Sequence, residues 1–477
     1  MAEISEKLMK DTYTKHMATF DNMRHVDYEN FRSFYEKDYE AIKLVIKKYY
    51  EDKPYSKGTF EEILIIHHDI IHKTLERLAA GIYDKQQTIV LVSDKENAQE
   101  DLQNALDKLD YYQQVKEAFK RSLFFNIIGV EPIFRDKKVD LEVISPDMFA
   151  VRTGKNYYNA KSVVLQRTNE DGTIYYTYWD DDRHFIYDSV GNEVSVGNNE
   201  EMENPYKELP FSWLRILKGN DFYGEPEWDL FLDQIAIDMK VTDYDLAEAI
   251  QRSGILHSHN GNLATGIRLR PNTILQTESK DPNKTVTLNY IKLDTDFTSW
   301  KDSIDWRKKA TLSNKGIVGA SASTDVNTAS GVAKTVDEMS LEEKRNSYRL
   351  LLNDFEVVLL NKIRIVWNYR AKETGEKLIP EGEFKVIYQE QKPFESQDDK
   401  DKRRAYEIKY KIKDPIEIMM EEMEVNEDEL IERLKKREER NELLAKEGIT
   451  VTIEGKQDTL RDKLIAAQQE EVENDTE

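Results

Sequence analysis

Residues 67–72, HHDIIH, hold the densest group of potential metal ligands in the chain. On a helix, His68 and His72 would stand four residues apart, the spacing at which two imidazoles reach one ion. The zinc-hydrolase pattern needs Glu where this chain has Asp69, and no third ligand is marked nearby. His67, His68 and His72 are therefore read as solvated or capping side chains rather than as a metal site. Two carboxylate runs, Asp180, Asp181 and Asp182, then Asp398, Asp399 and Asp401, could collect a divalent cation. Neither has EF-hand spacing, and Asp-rich turns are ordinarily solvated loop tips. The nearest approach to a phosphate loop is KGIVGASAS at 315–323, which lacks the Gly-Lys-Ser/Thr ending. No nucleophile elbow or pair of catalytic carboxylates can be placed. With no cysteine, disulfides and thiolate zinc sites are excluded. The expectation is a protein that is not an enzyme and needs neither cofactor nor metal.

The formal net charge is −23, from 92 acidic and 69 basic residues in 477. Tight reading of nucleic acid needs clustered Lys and Arg against phosphate, so such a chain fits that role poorly. It suits a surface that must lie near DNA without holding it. The length allows two to four domains. The start, MAEISEKLMKDTYTKH, lacks an apolar signal core. The longest apolar run, SLFFNIIGV at 122–130, falls short of the roughly 20 residues that span a bilayer. The chain reads as soluble, cytoplasmic in origin and without a membrane partner.

The elements that would position functional residues follow from periodicity. Segments Phe31–Tyr50, Phe60–Leu78 and Asn97–Arg121 read as helices, and TIVLVS at 88–93 as a short strand. Residues 122–196 shift to period two, with Asp-Gly at 171–172 and Gly-Asn at 191–192 marking hairpins. A polar linker is expected at 197–209 and a strand at 210–216. Helices at 225–251 and 298–312 flank strands within 254–293 and carry Trp228, Trp300 and Trp306, read as core or helix–helix contacts. Next comes SNKGIVGASASTDVNTASG, Ser313 to Gly331, a small-residue loop in which Lys315 is opposed by Asp325. From Val332 to about Glu373 there is no Pro or Gly, and apolar residues recur at helical spacing. Such a helix would span roughly 60 Å. A strand is expected at 384–389, a highly charged helical region at 396–446, then a solvated acidic tail.

This order resembles the portal proteins of tailed double-stranded DNA bacteriophages, in the siphophage-type branch of Gram-positive hosts. Four passages carry it: 122–154, 204–250, the strand insert 254–293, and ASGVAKTVDEMSLEEKRNSYRLLLNDFEVVLLNKI at 329–363. The resemblance implies an α+β subunit with an α/β wing, a two-helix stem, a small β-containing clip, a long spanning helix and a C-terminal helical crown. By position, an N-terminal arm takes 1–24 and the wing 25–224 and 332–394. The stem helices are 225–252 and 297–312, the clip 253–296 and the tunnel loop 313–331. The crown takes 395–447 and the acidic tail 448–477. The crown is short beside that of larger relatives.

The resemblance further implies a homo-oligomeric ring, dodecameric in the capsid, at the virion's portal vertex after assembly in host cytoplasm. Double-stranded DNA would pass transiently and non-specifically through it, driven by a separate terminase. The other implied partners are the major capsid protein, a scaffolding protein and a head-completion adaptor. Lys315, Gly316, Gly319, Ser321, Ser323, Thr324 and Asn327 would line the channel loop. Arg268 and Arg270 alternate on one strand, hence share a face, and His257 and His259 have the same spacing. In the family these would meet a neighbouring subunit, the terminase or the adaptor; read alone, they form a solvated strand face. The rival reading of the whole chain is an acidic helical scaffold or adaptor without a DNA channel.

Overall fold

The computed structural model describes residues 23–51, 64–83, 87–135, 137–169, 171–192, 194, 203–253, 255–259, 261–262, 278–279, 281, 283, 285–291, 297–317, 331–388 and 436. The chain divides into two units, Met1–Pro393 and Phe394–Glu477. The residues read as crown and acidic tail fall, apart from position 436, outside the described ones.

The first unit is a mixture of helices and antiparallel sheets. It opens with α1 (Met23–Glu36), α2 (Tyr39–Glu51) and α3 (Ile71–Tyr83), followed by β1 (Thr88–Val92). The helix expected across 97–121 is two helices, α4 (Ala98–Lys108) and α5 (Tyr111–Phe125). Asp110 breaks it at φ +48°. A non-glycine residue takes that conformation at some cost, and here the bend lets Leu109 and Tyr111 both turn into the core.

Strand β2 (Ile127–Arg135) is the centre of a three-stranded antiparallel sheet between β3 (Lys138–Ile144) and β8 (Ser212–Arg215). Its first six residues are all buried, so both faces of that stretch are covered. A four-stranded meander follows the chain order: β4 (Phe149–Thr153), β5 (Ala160–Thr168), β6 (Ile174–Asp180) and β7 (His184–Asp188). Gly172 at φ +83° and Gly191 at φ +91° occupy the turns that the dipeptide signals marked. The linker expected at 197–209 is, in its described part, packed structure. Asn204 is fully buried and its amide donates to the carbonyls of Asp180 at 2.7 Å and Glu208 at 2.9 Å.

Helices α6 (Trp228–Ser253) and α7 (Phe297–Asn314) run antiparallel. Between them lie two strand pairs, β9 (Ile255–His259) with β12 (Thr287–Ile291), and β10 (Gly261–Asn262) with β11 (Glu278–Ser279). Helix α8 (Gly331–Thr374) has 44 residues, about 66 Å at 1.5 Å per residue. Leu341, Leu352, Phe355, Leu359, Ile363 and Val366 fall on its buried stripe. Strand β13 (Glu383–Ile387) then pairs antiparallel with β1.

Aromatic rings join these elements. Phe31 of α1 stacks on Phe231 of α6 at 4.3 Å and lies 4.8 Å from Phe124 of α5. Phe119 meets Tyr348 of α8 at 5.6 Å. Burying rings of this size contributes about 2–3 kcal/mol each, which fixes α1, α5 and α6 as one body.

Candidate functional site

The geometry that could do work is at the root of the 318–330 connection, between α7 and α8. The two partners of the α6–α7 pair are locked along their length. Asp233 accepts from Arg307 Nη2 and Thr311 Oγ1, both at 2.9 Å, and Lys240 donates to Ser303 Oγ at 2.8 Å. Tyr244 closes the far end edge-on against Phe297 and Trp300.

The α7 C-terminus is a Schellman cap. Gly316 takes φ +77°, Gly316 N–H donates to Ser313 at 2.8 Å, and Ile317 N–H reaches back to the Leu312 carbonyl at 3.0 Å. Leu312 and Ile317 bury together as that motif requires. Gly316 thus has a definite backbone task, and the chain direction into the loop is set at Ile317.

Lys315 forms an ion pair with Glu227 at 2.6 Å, just ahead of α6. The sequence reading set Lys315 against Asp325, which lies outside the described residues. On the outgoing side, Lys344 of α8 donates to the Asn314 carbonyl at 3.2 Å, a cation at a helix C-terminus. Burial, then the neighbouring Lys315, holds the Lys344 ammonium below its ordinary pKa, while Glu227 opposes this. One carboxylate therefore serves two lysines at the base of the connection. Beside it is a cleft of about 190 Å³ lined by Asn126, Leu217, Glu225, Glu227, Trp228 and Asp229. Its mouth is acidic. Among the described residues, the arrangement fixes the chain where it leaves α7, and no nucleophile stands beside a base in it.

The remaining predicted residues are placed as follows. Gly319, Ser321, Ser323, Thr324 and Asn327, and Arg268 and Arg270, lie outside the described residues. His257 and His259 sit on β9 opposite Asn289 and Thr287. Trp228 packs edge-on against Phe31 at 5.0 Å and Trp300 against Tyr244, whereas Trp306 is 68% exposed and belongs to no core. Asp180 organises its own turn, accepting from the N–H groups of Asp182 and Arg183 at 2.9 and 2.6 Å.

HHDIIH is not on one helix. Residues 64–70 are neither helix nor strand, and α3 begins at Ile71. Three buried side chains of α6, four residues apart, take the backbone of this segment. Thr242 accepts Ile66 N–H at 3.0 Å, Asp238 accepts His68 N–H at 2.8 Å, and Gln234 accepts Ile70 N–H at 2.8 Å. Four helical residues rise about 6.0 Å and two extended residues about 6.6 Å, so the two ladders match. His67 donates Nδ1 to Asp238 at 2.7 Å. Asp69, not a histidine, caps α3 by accepting His72 N–H at 2.9 Å. Burial pushes the Asp69 carboxyl up, but hydrogen bonds from His72 and Lys37 outweigh it and hold it well below the usual range. Among the described residues no group of three or more His, Asp or Glu could hold a metal.

Two buried clusters were missed from sequence. Glu356 of α8 has no exposed surface and accepts from Tyr83, Gln87, Tyr111 and Tyr388. Its spacing from Leu352, Leu360 and Ile363 already put it on the apolar stripe. Arg167 bridges Glu131 and Glu142, each at 2.5 Å. Burial lifts the Glu131 carboxyl to about 7, with Arg167 opposing and Glu142 adding to the rise.

No protein-family model matches this sequence, and no curated protein does. Among solved structures, the chain is similar to one in the neck of a native gene transfer agent particle computed with C12 symmetry, at 9% identity and TM-score 0.37, over 72% of this chain and 85% of that one. It is similar to a chain of the native gene transfer agent virion, at 11% and 0.32, over 72% and 85%. A chain in the neck of the empty particle, computed with C6 symmetry, gives 11% and 0.32 over 71% and 85%.

Proposed function

We propose that this chain is a portal-type subunit, one copy of a closed ring around a bore for double-stranded DNA. The observation that carries the reading is the antiparallel α6–α7 pair, tipped by small strand pairs and joined through a small-residue connection to the 44-residue α8. A stalk, a loop rooted at its base and a rod of that length make a repeating wedge with its loops towards a shared axis. In this reading 225–252 and 297–312 form the stem, 253–296 the clip, 313–331 the tunnel loop and 332–394 the spanning part of the wing. The crown would be 395–447.

The chain's acidity supports a conduit. Every phosphate held tightly adds counterion-release free energy and a barrier to sliding. Glu227 engages Lys315 and lies near Lys344, so part of the positive charge at the root of the loop is already offset. The subunit would be a passage rather than a catalyst, with terminase supplying the work. Terminase and the head-completion adaptor would dock at the clip, and the major capsid and scaffolding proteins at the periphery of the ring within the virion. Negative-stain microscopy of purified protein tests this. Rings with a central hole are expected; elongated dimers would replace the reading by the acidic scaffold.

A further inference from the structure

The cations of this acidic chain are not evenly paired. On the surface of the first unit, lysines commonly meet carboxylates: Lys108 with Glu376, Lys120 with Glu76 and Glu117, Lys207 with Glu203. The tip of the β4–β5 hairpin and the loop after β8 are different. Tyr158 joins them, its hydroxyl donating to the Gly219 carbonyl at 3.0 Å. Two cations cover its ring, Arg215 at 5.1 Å and Lys218 at 5.9 Å from the centroid. Tyr157 packs 4.4 Å from it and is 40% exposed. Lys161 folds along Gly154, where a Cβ would come within 2.6 Å of its Cε. Lys155 is exposed on the same tip.

Among the described residues, no carboxylate comes within ion-pair distance of Lys155, Lys161, Arg215 or Lys218. Asp221 acts on Arg215 only at longer range, and its Oδ1 accepts the N–H groups of Tyr223 and Gly224. Arg215 Nη2 donates to the Phe222 carbonyl at 2.5 Å, and its buried Nε has no acceptor. The neighbouring Leu217 is 64% exposed.

We infer that this patch is the contact surface for the acidic face of a second copy of this chain. The residue set argues for a protein: tyrosines, an arginine and an exposed leucine at the centre, lysines at the rim. The exposed Leu217 and Tyr157 give the patch an apolar centre, which suits a protein face better than a phosphate backbone. A second copy carries the excess acid of a chain of net −23. Copies therefore repel one another on average, and association needs a local patch of opposite sign. The contact is heterologous, basic patch against a different, acidic surface, the type that forms a ring when the rotation between copies closes. The inference rests on the ring reading above and names where neighbours grip.

The test is sedimentation velocity of the full chain across a protein and NaCl series, for wild type, Lys155→Glu/Lys218→Glu, Tyr157→Ser and the exposed control Lys48→Glu. Circular dichroism confirms folding of each. The double variant is expected to need about tenfold or more protein to assemble, with Tyr157→Ser intermediate, Lys48→Glu unchanged and salt weakening the wild type more than the double variant. Rings formed equally well by the double variant overturn this inference and leave the ring reading intact. A wild type that stays monomeric overturns both. Unchanged assembly together with patch-dependent binding of a single-stranded oligonucleotide, read by fluorescence anisotropy, assigns the surface to nucleic acid and also overturns it.

Discussion

Replacing Glu356 perturbs a carboxyl group with no exposed surface. Among the described residues no cation pairs with it, and four donors converge on its two oxygens from α3, the start of β1, α5 and the segment after β13. Glu356→Ala strands those donors and opens a cavity. At about 1 kcal/mol per stranded buried donor, the loss is about 4 kcal/mol, partly offset because a buried charge is removed. In a unit of this size that lowers Tm by about 5 °C or more. Glu356→Gln keeps the shape and should cost about 1–2 kcal/mol, since a tyrosine hydroxyl can turn to accept from the new amide.

The pH dependence separates charge from shape. Burial raises the Glu356 pKa above 4.5, and the four hydrogen bonds only oppose this. The folded state therefore binds its proton more tightly than the unfolded state does. This penalty is absent below 4.5, grows as pH rises towards the folded pKa, and is full above it. Burial and Glu356 also raise the pKa of Tyr83 and Tyr111, so these stay neutral donors throughout. Differential scanning calorimetry from acid to neutral pH should show wild type gaining on Glu356→Gln as pH falls. An alanine variant within 1 °C of wild type, on the scale of about 5 °C expected here, would refute the reasoning. So would superimposable pH profiles for wild type and the Gln variant.

Other substitutions probe the rest of the described structure. Gly316→Val forces a β-branched residue to φ +77° and should cost about 1–2 kcal/mol by thermal melting, with Gly316→Asn milder. Arg167→Ala leaves buried Glu131 without its 2.5 Å partner. Burial already lifts the Glu131 carboxyl to about 7 with Arg167 present, so without Arg167 it holds a proton at neutral pH; the loss there should be about 1–2 kcal/mol, that of the hydrogen bonds, and should grow as pH rises above 7. Deleting 318–328 while keeping Gly316 and Ile317 should leave melting unchanged and impair DNA packaging or retention; normal packaging would count against a channel-facing loop.

Much of the fold could be read from periodicity. Helix α8 has an unbroken 3.6-residue pattern, and the hairpins of the meander carry Asp-Gly and Gly-Asn turns. Failures came where tertiary bonds override local preference. Asp110 breaks a periodic helix because bending buries Leu109 and Tyr111. The 64–70 segment is apolar enough for a helix, but Thr242, Asp238 and Gln234 satisfy its alternate N–H groups better than another turn would. Glu356 shared the spacing of α8's apolar stripe, yet its tyrosine donors come from chain positions far away, which periodicity does not connect. At the loop root, Lys315 was visible, whereas its Glu227 partner is 88 positions upstream and invisible to local pattern.

The ladder between 66–70 and α6 makes a rack that meshes with a toothed shaft. Three hydrogen bonds at matched intervals resist sliding far more than sideways lift, so a tilt of α6 carries the strip ahead of α3 with it. Arg345 and Arg349 of α8 hold α3 at the other end, through the Arg77 and Gly81 carbonyls. Helices α6 and α8 are thereby joined through α3 and the strip ahead of it, by hydrogen bonds that do not run along the chain between them.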